Sequence, residues 1–196
     1  MTKPALTPAE TTPNTVLQAL QVVSQQSPHA LAVLSSDASS LTYSQLCHQI
    51  TEIGSALRKI GVRSNDRVAI LLPDGLQMTI AFLGVSSYAC CVPLDSSSPI
   101  QELVGLLDSR AVSVLITDAG NAKKFTESGE QHATIVVELF HSGDSIQLHS
   151  NSFQFSTIAI EDVNALANAE QSFDDTAVLL HTSCLLYTSP SPRDRG

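Results

Sequence analysis

Thr182 and Ser183 follow directly on the apolar run "TAVLLH" at 176–181. Two hydroxyl side chains just past a buried strand can begin a loop whose O–H and N–H groups donate to phosphate oxygens. A plain turn uses the same residue types, so the pair alone leaves both readings open. Asp74, Asp95 and Asp118 each stand just after another apolar run. That is the edge where α/β proteins build ligand sites, and also where caps and turn formers collect. The six histidines (29, 48, 132, 141, 149 and 181) form no H-x-x-x-H pair, and His141 and His149 flank a stretch read as a solvated loop. The four cysteines (47, 90, 91 and 184) have no C-x-x-C spacing. They are expected to be reduced and mostly buried, with Cys90 and Cys91 facing opposite sides of a strand. Neither G-x-S-x-G nor G-x-G-x-x-G occurs, so neither a nucleophile elbow nor a dinucleotide fingerprint is present.

These residues need a scaffold, and 196 residues suffice for one substantial core. The chain is 43% hydrophobic and 15% charged, which is globular composition. Its formal net charge of −9 argues against nucleic acid or an anionic membrane as the main partner, because both need clustered cations. No apolar run approaches the roughly 20 residues of a membrane span, and the N-terminus has no apolar signal core. An intracellular, cytoplasmic protein is the expectation.

Asn14 is expected to cap a helix carrying Val16, Leu17, Leu20 and Val23, followed by a short strand at "ALAVLSS". In "LTYSQLCHQITEIGSALRKIGV", Thr42 and Gln45 have the spacing of a capping box. Leu46, Ile50, Ile53, Leu57 and Ile60 share one helical face, and Gly61 ends it. "DRVAILLP" is a strand buried on both faces, "DGLQMTIAFLGVSSYA" a mostly buried helix and "CCVPLD" a strand. "SPIQELVGLLDSR" is a helix with Ser98 as cap and Pro99 in its first turn, and "AVSVLITD" is a further strand. The order β-α-β-α-β-α-β from Leu41 to Asp118 predicts an α/β fold with a mainly parallel sheet flanked by helices. Beyond it, "ATIVVELF" reads as a strand, "HSGDSIQLHSNSFQ" as a polar loop, "ALANAEQSFDD" as a short helix or linker and "TAVLLHTS" as a last strand.

Several stretches together resemble one family, the ATP-dependent adenylate-forming (AMP-binding) ligases, which include acyl-CoA synthetases and peptide-synthetase adenylation domains. "LTYSQL" is similar to the family's "LTY-x-EL" opening. The segment from "RVAILLPDG" through "CCVPLD" and "QELVGLLDSR" to "SVLITD" follows the next family block in order. "DDTAVLLHTS" resembles the approach to the phosphate-binding loop, commonly "(Y/H)-T-S-G-(S/T)-T-G-x-P-K-G". Here the glycines, threonines, proline and lysine of that loop are replaced by "CLLYTSPSPRDRG". One legitimate back-translation of Cys184–Asp194 resembles a sequencing-library adapter.

The Pro- and Thr-rich residues 1–13 are expected to form a mobile lead-in, and the resemblance implies an incomplete N-terminal part of the ligase large domain over 14–183. It leaves 184–196 as a non-native, adapter-derived tail. It further implies a parent enzyme that uses ATP, Mg²⁺ and CoA to turn a small carboxylic acid into an acyl-adenylate and then an acyl-CoA thioester. His181 before Thr-Ser leans toward that side of the family; a peptide-synthetase adenylation domain and a non-catalytic binding module are the alternatives. Thr182 and Ser183 would contact the nucleotide phosphates. No residue of this chain is assigned to catalysis or to a metal, and the truncated chain is expected to be inactive. A peroxisomal address on the parent stays open beside the cytoplasmic expectation.

Overall fold

The computed structural model describes residues 13–34, 40–127, 134–142, 145–150 and 174–180. Helix α1 (Val16–Gln26) begins one residue later than expected. Thr15, in extended backbone, accepts from the Gln18 N–H at 3.2 Å, while the Asn14 N–H donates to Gln18 Oε1 at 2.9 Å. Strands β1 (Leu31–Leu34) and β2 (Ser40–Thr42) pair antiparallel in a two-stranded sheet of their own. The strand expected at Leu41 therefore opens the alternating series but does not join the parallel sheet.

Helix α2 (Tyr43–Lys59) carries the capping box expected from Thr42 and Gln45. The Gln45 N–H donates to Thr42 Oγ1 at 3.3 Å, and the Thr42 N–H donates to Gln45 Oε1 at 2.9 Å. Leu46, Ile50, Ile53 and Leu57 are buried, whereas Ile60 is the half-buried C-cap residue. Gly61 has φ +86, and Val62 N–H donates to the Leu57 carbonyl at 3.0 Å. This 6→1 closure needs a left-handed residue at its corner, which glycine adopts without a Cβ penalty.

The main sheet has the order β4-β3-β5-β6-β7, built from β3 (Arg67–Leu71), β4 (Cys90–Pro93), β5 (Val112–Thr117), β6 (Ile135–Ser142) and β7 (Ser145–Ser150). β3 pairs in parallel with both β4 and β5, and β5 in parallel with β6; β7 closes antiparallel on β6. The stretch read as a polar loop thus contains β7. Its "SIQLHS" alternates with period two, and pairing with the apolar β6 gives that weak pattern a partner. The crossovers are α3 (Leu76–Ser86), α4 (Ile100–Ser109) and α5 (Ala119–Glu127), the last unassigned by the sequence reading. Pro99 rather than Ser98 is the N-cap of α4, without a side-chain capping bond, and the Ser98 N–H donates to the Asp95 carbonyl. The expected last strand appears, within its described part, as a single parallel bridge of Val178 to Cys91 on the outer edge of β4. The linker stretch 165–175 lies outside the described residues except for Asp174 and Asp175.

Alternation along the strands divides the core in two. Val68, Ile70, Cys91, Val114 and Ile116 pack under α1, α2 and α3, while Ala69, Leu71, Val92 and Leu115 pack under α4 and α5. Cys90 and Cys91 are both buried, and Cys47 is half-buried; all three are free thiols, while Cys184 lies outside the described residues. Burial raises all three thiol pKa values, and Cys91, also beside Cys90, is pushed up to about 12. The unfolded chain releases this proton above about pH 8.5, so stability tied to the neutral Cys91 is full below that pH and is lost as pH climbs toward 12.

Close approach of α2 to α3 depends on two glycines. A Cβ at Gly54 would lie 2.3 Å from Cε2 of Tyr88, and one at Gly84 would lie 2.8 Å from Cδ1 of Ile53. The same Tyr88 ring lies 4.9 Å, centroid to Cζ, from the Arg58 guanidinium. Gly105, in α4, has open space where its Cβ would stand. In urea titrations of this chain, Gly54→Ala is expected to cost about 1–3 kcal/mol, overpacking outweighing helix propensity. Gly105→Ala should instead gain up to about 1 kcal/mol. Between pH 9 and 11 the urea midpoint should fall with pH, and Cys91→Ala should make that slope shallower.

Candidate functional site

Because β3, β4 and β5 run in parallel, their carboxyl ends share one edge of the sheet. The three aspartates singled out in the sequence all stand there, each just beyond a strand: Asp74 after β3, Asp95 after β4 and Asp118 after β5. The fold therefore brings them to one side, as the alternating pattern implied.

Two of the three are occupied locally. Asp95 Oδ1 accepts from the Ser97 N–H at 2.8 Å and from the Ser97 hydroxyl at 2.7 Å. These bonds favour the ionised form and hold the exposed Asp95 carboxyl below its ordinary range. Asp118 accepts from the Asn121 N–H at 2.8 Å and from Asn121 Nδ2 at 3.0 Å, which starts α5. Asn121 Oδ1 in turn accepts from Lys124 at 3.0 Å. Both carboxylates thus act first as turn and helix-start formers. The sequence signal for the second was present: "TDAGN" places Asn three residues after Asp.

Asp74 is exposed and precedes Gly75, whose φ of +149 turns the chain into α3. No side chain caps this helix, so its first N–H groups are bonded by no cap residue at the carboxyl edge. The special backbone at Gly75 was missed from sequence, although "PDG" is a turn signal. Below the edge, the Thr117 hydroxyl donates to the Leu71 carbonyl at 2.9 Å inside the core and ties the ends of β3 and β5 together.

The fourth component comes from the far end of the chain. Cys91 N–H donates to the Ala177 carbonyl at 2.9 Å, and Leu179 N–H donates to the Cys91 carbonyl at 2.8 Å. Val178 packs on the core under α1–α3 and Leu179 on the core under α4 and α5, as successive residues of an added strand should. Parallel pairing sends this segment toward the same edge as Asp74, Asp95 and Asp118. His181, Thr182 and Ser183 lie outside the described residues.

His141 stands opposite Ile146, and His149 opposite Glu138, on the two strands of the β6–β7 hairpin. Among the described residues no group of three His, Cys, Asp or Glu is arranged to hold a metal ion. No helix among them is long and apolar enough to cross a membrane.

Comparison with known proteins agrees with this edge-built architecture. The family model described as AMP-binding enzyme matches residues 20–184. Malpinin synthetase of Mortierella alpina is 34% identical over 107 residues, which is 54% of this chain and 1% of that protein. The nonribosomal peptide synthetase asaC of Aspergillus flavus is 29% identical over 133 residues, 67% of this chain and 12% of that protein. The chain therefore spans a small part of the relatives it matches. Among solved structures, the nonribosomal peptide synthetase FmoA3 superposes with a TM-score of 0.54 at 26% identity, covering 62% of this chain and 13% of that one. The N-terminal domain of FACL13 from Mycobacterium tuberculosis superposes at 0.56 with 21% identity, over 61% of this chain and 32% of that one, a likeness of fold alone. With the parallel sheet, its flanking helices and the family match over most of its length in agreement, this chain belongs to the AMP-binding, adenylate-forming enzymes.

Proposed function

We propose that the protein from which this chain comes activates a carboxylic acid with ATP in the manner of a peptide-synthetase adenylation domain. A carboxylate oxygen attacks the α-phosphorus, and the bond from that phosphorus to the oxygen bridging it to the β-phosphate breaks. Pyrophosphate leaves and an acyl-adenylate remains. A thiol then takes the acyl group, with its proton lost to solvent and AMP released. The observation that carries this reading is the family match over residues 20–184 together with relatives that are peptide synthetases. It reverses the lean toward CoA as acceptor that His181 suggested. CoA is kept as the second reading on the strength of that one residue.

The described part of the chain fits one wall of a nucleotide site and does not fit the triphosphate. Asp95 and Asp118 present negative charge already committed to Ser97 and Asn121, and Asp74 adds another carboxylate. Developing charge on phosphate is stabilised by Mg²⁺, loop N–H groups and cationic side chains. In our reading Thr182 and Ser183 open that loop. Residues 14–183 form the first part of the adenylating domain behind a lead-in over 1–13. Residues 184–196 replace the native continuation, so neither ATP nor Mg²⁺ is held productively by this chain. A cytoplasmic setting for the parent is part of the same proposal.

Sequencing the gene past Ser183 and assaying its full product for ATP–pyrophosphate exchange tests this directly. Exchange dependent on an amino acid or aryl acid, with acyl transfer to a carrier-bound pantetheine thiol, is the expected result. Transfer to free CoA would overturn the choice of acceptor, and no exchange with any acid in a broad panel would overturn adenylation itself. Thr182→Ala in that full product should lower exchange by about 10²-fold, the scale of losing one donor to transition-state charge. The 196-residue chain should give no exchange.

A further inference from the structure

β4 is bonded on both sides, but over different lengths. Toward β3, the Cys90 N–H donates to the Asp66 carbonyl and the Leu94 N–H to the Ile70 carbonyl, each at 2.9 Å. Pairing on that side therefore runs from the first residue of β4 to one past its last. Toward the returning segment it is a single bridge at Cys91, which gives its N–H to the Ala177 carbonyl and its own carbonyl to the Leu179 N–H. A parallel ladder repeats every second residue, so the next donor due on this side is the N–H at position 93 and its acceptor the Leu179 carbonyl. Residue 93 is proline, which has no N–H. The β3 side loses nothing by this, because positions 90 and 94 face β3 while 91 and 93 face outward.

Burial along the returning segment breaks at the same point. Val178 and Leu179 pack on opposite faces of the sheet, and a strand that continued would turn Leu180 onto the face of Val178, under α1–α3. Leu180 is instead 66% exposed. We propose that Pro93 is the stop that releases the chain from β4 after Leu179, and is thereby a positioning residue for the loop that follows. The second half rests on the proposed function, in which Thr182 and Ser183 open the phosphate-binding loop. A residue with an N–H at position 93 would give the Leu179 carbonyl its missing donor and draw the next residues along β4, away from the loop path. Proline withholds that one bond and leaves the pairing of β4 with β3 whole.

Hydrogen exchange of single backbone amides in this 196-residue chain is the test, with the Leu94 amide as the reference for an intact fold. In Pro93→Ala and in Pro93→Val, the amide at position 93 should be protected about tenfold or more over its unfolded rate. The Cys91 amide should exchange about threefold or more slowly relative to Leu94. A position-93 amide that exchanges at its unfolded rate, or unchanged protection of Cys91, would overturn the proposal. Loss of Leu94 protection in both variants would overturn it as well, since Pro93 would then serve the fold itself. In the full gene product, both substitutions should raise KM for ATP about threefold or more and leave KM for the acid unchanged. An unchanged KM for ATP would overturn the positioning role. An unsubstituted full product without exchange would count against adenylation instead, and the amide rates, read without nucleotide, still decide whether Pro93 is the stop.

Discussion

Burial of β3 on both faces is the constraint to which the rest of the structure answers. Val68, Ala69, Ile70 and Leu71 have no exposed surface, so consecutive side chains must find apolar cover on opposite sides of one strand. Cover on both sides requires helices on both sides, and parallel neighbours supply them, because each return to the start of the next strand must run as a crossover. α2 and α3 close one face and α4 the other. The glycines at 54 and 84 let α2 and α3 share their face without wedging apart, since Tyr88 and Ile53 occupy the space that two methyl groups would need.

The same constraint makes the chemical edge. Strands that all point one way deliver their ends to one side, where the chain must turn and where backbone groups leave the sheet ladder. Turn formers and ligand-binding groups compete for those positions. At Asp95 and Asp118 the turn has won, each carboxylate being held by bonds to residues two or three places on. At Gly75 the helix start has no side-chain cap. What the described edge exposes is therefore backbone geometry more than free charge, in a chain of net charge −9 that belongs to the AMP-binding family.

Residues with strong local physics were readable in advance. Thr42 and Gln45 satisfy each other's backbone partners within four residues, and Gly61 adopts the left-handed corner that lets Val62 reach back to Leu57. Such features need nothing from the rest of the molecule. β7 is the opposite case: "SIQLHS" carries too little apolar content to announce a strand and becomes one by lying along β6. α5 is similar, a short helix whose start is fixed by the Asp118–Asn121 bonds and whose Phe125 reaches the core. The displaced caps at Thr15 and Pro99 show the finer limit. Neighbouring residues can serve equally well in the sequence, and packing of the helix decides which one does.

The sequence by itself determined the alternating order of strands and helices, the buried face of α2, the three aspartates after apolar runs and the family resemblance. All of these rest on spacing within a few residues or on ordered motifs. Tertiary structure alone decided that β2 leaves the parallel sheet for β1, and that Ala177–Leu179 comes back across the chain to lie along β4. It alone showed that Gly54 must stay glycine because of Tyr88, 34 residues away. Pairing partners and close contacts between distant residues are properties of assembled surfaces, and local propensity carries no record of which surface a segment will meet.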